Sequence, residues 1–476
     1  MPDYRHHLDS LRSLRADKRR VAFFDLDRTL IAVYSAVPML LEQVKARQIS
    51  VLGAAQQMFM ALGQSREVYD FEEVLDTAVG MLQGVSEQEL SRLGDRLFHK
   101  HLQKKLYVEA QELVDTHRRL GHRLVIVSSA TRYQIEPVAE ALEIDDILCT
   151  ELEVQDGKFT GVIKGEACWA TGKLNAATSW CATHGIALKK TWFYTDALED
   201  LPLIEAVGHP VAVNPTPELE NHARAAAWPI CKFRSRASAS LMDVARTGAM
   251  FGAMAPAILT GKAAKWLGAV DDHEAALMSF TSYAENALNL AGVKLDVKNE
   301  HYLWEKRPAI FVINHQSVLD GYLTPALVKR DYFMMGKIEA GNVPVLGEML
   351  KDAGFILFDR TNREAAIAAC DDAAERIKQG YSLCISPEGT RSFSKRMEPF
   401  KKGVFHIALQ TGVPIVPIVV KNASELWPRG QTFVRPGTLR IEILKPIPTK
   451  RWTRETLDKH LNTLHRKYLD ALDTPD

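Results

Sequence analysis

The amino-acid sequence predicts two α/β domains, the first doubly wound, in a chain too long for one compact core. Its 476 residues exceed what a single hydrophobic core ordinarily organises. Short apolar, β-branched runs alternate with helical periodicity in two separate series, the pattern of a sheet covered by helices. Between the series the composition shifts at residues 231–240 to CKFRSRASAS, basic and small, before helical pattern resumes from about 241 to 295. These features divide the chain into 1–230, 231–295 and 296–476.

In the first series the expected strands are Val21–Asp27, Arg123–Ser129, Thr191–Asp196 and Pro210–Asn214. From about 32 to 105 the periodicity is helical with almost no strand signal, which reads as a helical insertion. Asp156-Gly157, between the apolar pieces Leu152–Val154 and Phe159–Ile163, marks a two-residue hairpin. The second series gives Ala309–Ile313, Tyr332–Met335, Phe355–Phe358, Ser382–Ile385, Ile415–Val420 and Leu439–Leu444, with a closing helix over Arg454–Leu472.

Composition narrows the function classes. The formal net charge of +0 argues against a nucleic-acid binder, whose phosphate-facing surface needs a basic excess. Charge is nevertheless uneven. Between Lys232 and Trp266 the basic residues Lys232, Arg234, Arg236, Arg246, Lys262 and Lys265 face only Asp243, which suits an anionic membrane surface or substrate and equally a solvated face. The six cysteines are scattered with no CxxC pair, as in a reducing compartment. The N-terminal twenty residues are polar and charged, unlike a signal peptide. The apolar stretch Thr247–Gly261 is shorter than the ~20 residues of a spanning helix. The expectation is a cytoplasmic protein, peripheral on the inner face of the membrane.

The first chemical constellation begins at VAFFDLDRTLI. An apolar strand ends in Asp25 and Asp27, placed on one side by the alternation of an extended chain. They fall where the carboxyl ends of parallel strands gather ligands. Two close carboxylates repel, and a divalent cation is the usual remedy. Ser128, at the end of RLVIVSSA, Lys173 in ATGKL, and Asp196 and Asp200 in WFYTDALEDLPLIE follow in order. Each alone is weak evidence, since such aspartates often cap helices. The ordered set resembles the haloacid dehalogenase superfamily, specifically its phosphoserine-phosphatase-like branch, over roughly residues 20–230. The resemblance implies a Rossmann-like domain with a helical cap, and Mg²⁺ bound through Asp25, Asp27, Asp196 and Asp200. It further implies Asp25 as nucleophile, Asp27 as acid and base, and Ser128 and Lys173 as phosphoryl ligands. Ser129 offers a second hydroxyl beside Ser128. Arg28 stands where many members carry a smaller residue.

The second constellation begins at AIFVINHQSVLD. Inside one helix, His315 and Asp320 would point roughly 140° apart. They meet only if His315 lies in the turn before the helix, and Ser317 supports that with a Ser-x-x-Asp helix start. A capping Asp320 and an ordinary loop histidine is the plainer alternative. Downstream come GFILFDR, SPEGTRS, PFKKG and VPIVPIVV, each basic or glycine-rich piece following an apolar strand. Arg360, Arg391, Lys401 and Lys402 together suit a phosphomonoester. In order and spacing these blocks resemble the glycerolipid acyltransferases, in particular those acting on 1-acylglycerol 3-phosphate, over about 300–450.

That resemblance implies acyl transfer from acyl-CoA or acyl carrier protein to a lysophospholipid. His315 would serve as base, oriented by Asp320, and Glu388, Gly389 and Arg391 would bind the glycerol phosphate with Arg360 and Lys401. Lys337 falls where relatives often carry a basic residue near the acyl chain, whereas Val413–Val420 reads as core. The stretch 241–295 lies where relatives carry a membrane-anchoring element. Met250, Phe251, Met254, Ile258 and Leu259, flanked by Lys262, Lys265 and Trp266, would form its inserting face. A helix packed inside the protein is the competing reading. Two further readings stay open: a monofunctional acyltransferase with a non-catalytic first domain, and a soluble-metabolite phosphatase anchored by the second.

Overall fold

The computed structural model describes residues 4–46, 71–237, 239–392 and 397–473. The chain divides into two compact units, Met1–Ala237 and Ser238–Asp476.

Unit one is built on a six-stranded parallel sheet. Its strands are β1 (Val21–Phe24), β2 (Arg123–Thr131), β3 (Asp146–Thr150), β6 (Thr191–Thr195), β7 (His209–Val213) and β8 (Ile230–Cys231), in the order β3-β2-β1-β6-β7-β8. All four residues of β1 are buried, because helices cover both faces of a parallel sheet. From β1 the order runs outward to β2 on one side and β6 on the other. The strand order therefore reverses at β1, where such sheets open a crevice at their carboxyl ends. The expected strand Val21–Asp27 stops at Phe24. The Asp25 amide still donates to Tyr194 O, but the Leu26 carbonyl then accepts from both Leu30 and Ile31, turning the chain off the sheet.

Strands β4 (Leu152–Gln155) and β5 (Lys158–Ile163) form the anticipated antiparallel hairpin. Asp156 and Gly157 sit between them at φ 51° and 73°, as a two-residue hairpin turn requires. Between β1 and β2 the described residues form helices Ala36–Lys45, Phe71–Gly80 and Glu87–Leu97, a π-helical turn Phe98–Leu102, a 3₁₀ turn, and then helix Val108–Arg119, which leads into β2. Part of the expected insertion, 47–70, lies outside the described residues.

Unit two contains a seven-stranded sheet. Strands β9 (Val293–Lys298), β10 (Ile310–Ile313), β11 (Tyr332–Lys337), β12 (Ile356–Phe358), β13 (Ser382–Ile385), β14 (Ile415–Val420) and β15 (Gly437–Ile443) lie in the order β12-β11-β13-β10-β14-β15-β9. Pairing is parallel except between β14 and β15. Strand β14 is fully buried, as expected of a core block.

The stretch 241–295 departs from the helical expectation at its end. It forms helices Leu241–Gly252, Met254–Trp266 and Asp272–Leu290, after which Gly292 at φ 74° releases the chain into edge strand β9. The inserting face is also revised. Met250 is fully buried, and Met254 and Ile258 pack against the core, while Phe251 and Leu259 remain exposed. Gly261 explains why the second helix lies so close to the third, since a Cβ there would strike Ser279 Oγ and the Ala275 carbonyl. Among the described residues no helix is long and apolar enough to cross a membrane.

Candidate active sites

In unit one, β1 delivers Asp25, β2 delivers Ser128, and the turn after β6 delivers Asp196; all three are buried. Lys173, from helix Thr171–Thr183, lies between two carboxylates, with Nζ 2.8 Å from Asp25 Oδ1 and 2.8 Å from Asp200 Oδ2. Asp27 accepts from Ser35, at 2.9 Å from its amide and 3.2 Å from its hydroxyl. The guanidinium of Arg28 faces Asp196, with Nε 3.4 Å from Oδ2.

Burial is the main force on these acids. It lifts Asp27 to about 7 and Asp196 to about 8, with the Asp25 charge adding to both. Burial raises Asp25 as well, opposed by Lys173. On Lys173 burial acts against the charge, but Asp200 and Asp25 hold its pKa above the ordinary lysine value.

Four carboxyl groups and two cationic side chains therefore meet at one rim. The expected joint grip of Asp25, Asp27, Asp196 and Asp200 on a cation is not formed as the side chains stand. Among the described residues no three His, Cys, Asp or Glu groups are placed to hold a metal ion. Lys173, Ser35 and Arg28 already occupy oxygens that a cation would use. The donor chemistry still fits one: hard carboxyl oxygens gathered at one rim, whose charged form burial disfavours until a cation offsets it.

Of the two candidate hydroxyls, Ser128 Oγ is buried and accepts from the Ala130 amide at 3.3 Å. The carbonyl of Ser129 accepts from Thr150 Oγ1.

In unit two, β10 ends at Ile313 and the next helix starts at Asp320, so His315 lies in the intervening turn. Its Nδ1 is 2.9 Å from Asp320 Oδ2. The same oxygen accepts from the amides of Gln316 and Ser317, so the turn is wrapped around this carboxylate. Ser317 Oγ donates to Trp427 O at 2.7 Å, tying the turn to the loop after β14.

His315 and Asp320 line a cavity of about 430 Å³. Its walls are largely apolar, with Phe280, Tyr283, Met334, Leu350 and Phe355 among them, and Lys337, Arg360, Arg391 and Arg429 supply its cations. Burial lowers the pKa of both Arg360 and Arg429, and for Arg429 the neighbouring Arg391 adds to the effect. Like charges held together in this way favour an anion between them.

Several expected ligands do something else. Glu388 is 2 % exposed and does not line the cavity. Its Oε1 accepts from the His315 amide at 2.7 Å and its Oε2 from the Glu398 amide at 3.0 Å. It is a clamp on the histidine turn, and burial pushes its carboxyl up to about 7. Gly389, at φ 73°, packs on the Lys401 side chain and offers its carbonyl to Arg360. Lys401 is not in the cavity wall, and Lys402 pairs with Asp458. Sequence reasoning missed Arg429, a single residue in an irregular loop. It also missed Phe280 and Tyr283, whose spacing of three places them on one helix face but does not say what that face lines.

Comparison with known proteins follows this division. Residues 22–205 match the family described as haloacid dehalogenase-like hydrolase. A histidinol-phosphatase of Neisseria meningitidis is 31% identical over 222 residues, covering 45% of this chain and 100% of the relative. The chain belongs to the haloacid dehalogenase-like hydrolases. Residues 294–421 match the acyltransferase family, so the second half carries an acyltransferase domain. A 1-acyl-sn-glycerol-3-phosphate acyltransferase of Cocos nucifera is 36% identical over 165 residues, covering 34% of this chain and 54% of that protein. Its counterpart in Limnanthes alba is 34% identical over 184 residues, covering 38% of this chain and 65% of that protein. The chain thus spans between about half and two thirds of the length of these acyltransferases.

Proposed function

We propose that this haloacid dehalogenase-like chain is a bifunctional enzyme of glycerolipid metabolism. Its second unit acylates the free hydroxyl of a lysophosphatidic acid to give phosphatidic acid. Its first hydrolyses a phosphomonoester. The observation that carries the reading is the His315–Asp320 pair in the wall of an apolar cavity that also presents Arg360 and Arg391. An acyl chain, a reacting hydroxyl and a phosphate need those three environments side by side.

With Nδ1 bound to a carboxylate, the His315 ring keeps its proton there and leaves Nε2 as base. Nε2 takes the proton of the acceptor hydroxyl as that oxygen attacks the thioester carbonyl. The C–O bond forms, the C–S bond breaks, and the proton passes to the departing thiolate of coenzyme A or acyl carrier protein. The substrate hydroxyl is the nucleophile, so no acyl-enzyme intervenes. Arg360 and Arg391 hold the phosphate, and Glu388 holds the histidine turn. Lys401 supports this end of the site through its packing on Gly389.

In the first unit Asp25 attacks phosphorus to form an aspartyl-phosphate while Asp27 protonates the leaving oxygen. Asp27 then takes a proton from the water that releases phosphate. An acid lifted to about 7 suits both roles near neutral pH. Ser128 and Lys173 bind phosphoryl oxygens. Asp25 and Asp196 would hold Mg²⁺, with Asp27 and Asp200 beside them, and the ion would offset charge on the transferring group. Joining of the two activities in one chain suggests a glycerol or lipid phosphomonoester as substrate.

Exposed Phe251, Leu259, Trp266 and Leu267, with Lys262 and Lys265 nearby in sequence, support shallow seating of the helices 241–266 in an anionic membrane. We propose that the protein sits on the inner face of the cytoplasmic membrane, the leaflet whose anionic surface attracts such basic segments. The test is conversion of lysophosphatidic acid and an acyl-CoA, or acyl carrier protein thioester, into phosphatidic acid. Product lost in His315→Ala supports the reading; failure of the wild type with both donors contradicts it.

A further inference from the structure

Arg28 occupies a place in the backbone where its side chain is costly. Its φ of 56° lies in the left-handed region, which costs a non-glycine residue ~1–2 kcal/mol. The conformation belongs to the turn and not to the arginine. Leu26 O accepts from the amides of Leu30 and Ile31 across it, and Asn214 Nδ2 donates to Arg28 O at 3.2 Å. Glycine would adopt this turn without strain, so the backbone here does not call for an arginine.

What it contacts in this structure is held loosely. The approach of Nε to Asp196 Oδ2, at 3.4 Å, is an ion pair longer than an ordinary N–H···O hydrogen bond. Nη1 donates to Tyr34 Oη at 3.2 Å, a hydroxyl on a residue that is 55% exposed. The Arg28 side chain is itself 37% exposed. A guanidinium has five donors; here Nε and Nη1 face these two partners, Cζ lies 5.8 Å from the Tyr34 ring centroid, and the exposed part of the group is open to an incoming ligand.

The chemistry of the site supplies a better partner. Among the described residues, Lys173 is shared between Asp25 and Asp200, Arg28 pairs with Asp196, and Asp27 is held by Ser35. A dianionic phosphoryl group entering this rim meets the Asp25 and Asp200 carboxyl groups with the one buried ammonium already spent between them. Any cation settling on Asp196 also displaces the guanidinium that covers it.

We propose that Arg28 is a phosphoryl-binding residue of the hydrolytic site, releasing Asp196 and taking a phosphoryl oxygen when substrate binds. Tyr34 positions it between those two partners. The inference rests on the phosphatase reading.

The test uses the full chain with Mg²⁺, p-nitrophenyl phosphate as substrate and inorganic phosphate as competitive inhibitor. Wild type, Arg28→Gly and Arg28→Lys are compared, with melting temperature measured alongside. The glycine variant should raise both KM and the phosphate inhibition constant about tenfold or more, the scale of one lost charge-assisted contact, with kcat changed less. Its melting temperature should equal or exceed that of wild type, because the strained turn is relieved. The lysine variant should recover part of the binding. Unchanged KM and inhibition constant in Arg28→Gly, with wild type active, overturn the role of Arg28 alone. A lower melting temperature together with no rescue by lysine would make the residue structural and also overturn it. If wild type hydrolyses no phosphomonoester, the phosphatase reading fails and takes this inference with it.

Discussion

The contact on which the proposed acyl transfer rests is the 2.9 Å pairing of His315 Nδ1 with Asp320 Oδ2. One Asp320 oxygen also accepts from the Gln316 and Ser317 amides, so the carboxylate fixes the backbone turn and the ring together. Asp320→Asn separates these tasks. The asparagine oxygen can still take the amides, but it does not stabilise the imidazolium, and the ring loses its tautomer preference. The expected result is a fall in kcat on the order of 10²- to 10⁴-fold with a much smaller change in KM. A steady-state comparison with His315→Ala checks it: similar kcat in wild type and Asp320→Asn would leave Asp320 a capping residue. Glu388 shows the limit of motif reading at this scale. The block SPEGTRS marks a glutamate that matters, yet both its oxygens are spent on backbone amides. Type and spacing identify a residue; only its partners say whether it meets the ligand or holds what does.

At the level of elements, the strands that carry the chemistry were legible because each ends in a polar residue after a buried apolar run. β1, β6, β10 and β13 fall within a few residues of expectation. The unforeseen strands are sheet edges: β3, the two-residue β8, and β9, whose alternation VKLDVK was masked by the helical run before it. The assignment of Met250 to a membrane face failed for a related reason. Helical periodicity shows that one face is apolar but not what covers it, and here Met250 packs into the core. One element of unit one makes a pH prediction. His7 Nε2 is 3.0 Å and His117 Nε2 is 2.7 Å from Tyr194 Oη, while His117 Nδ1 is 2.8 Å from His122 Nδ1. Burial drives His7 down to about 4 and His117 well below its usual value. At these histidines the unfolded chain therefore binds more protons than the folded one between about pH 4 and 6.5. The histidine contribution is complete above pH 6.5 and is lost as pH falls through that window. The raised pKa values of Asp27 and Asp196 act in the opposite sense, so total stability mixes the two. The difference between wild type and His7→Gln isolates the histidine. The variant should gain on wild type by about 2 kcal/mol between pH 6.5 and 5, measured by urea unfolding. A difference independent of pH would mean His7 titrates normally.

On the scale of the whole molecule, the chain carries a phosphatase-type unit and an acyltransferase-type unit, with an exposed apolar surface in the second. Leu259 and Trp266 are 65% and 85% exposed, so Leu259→Glu with Trp266→Ser should leave the fold intact. Flotation with anionic vesicles should show the double variant bound several-fold more weakly at unchanged melting temperature, since each side chain contributes on the order of 1 kcal/mol or more of apolar transfer. Equal binding would exclude this surface as the membrane contact. The central claim, two independent chemistries in one chain, is tested most directly by one assay on three proteins. Wild type, Asp25→Asn and His315→Ala are incubated with Mg²⁺, lysophosphatidic acid, an acyl-CoA and p-nitrophenyl phosphate, and phosphatidic acid and nitrophenol are measured together. The account predicts both products from wild type, only phosphatidic acid from Asp25→Asn, and only nitrophenol from His315→Ala. Phosphatidic acid formed at the wild-type rate by His315→Ala, or nitrophenol at the wild-type rate by Asp25→Asn, would contradict it.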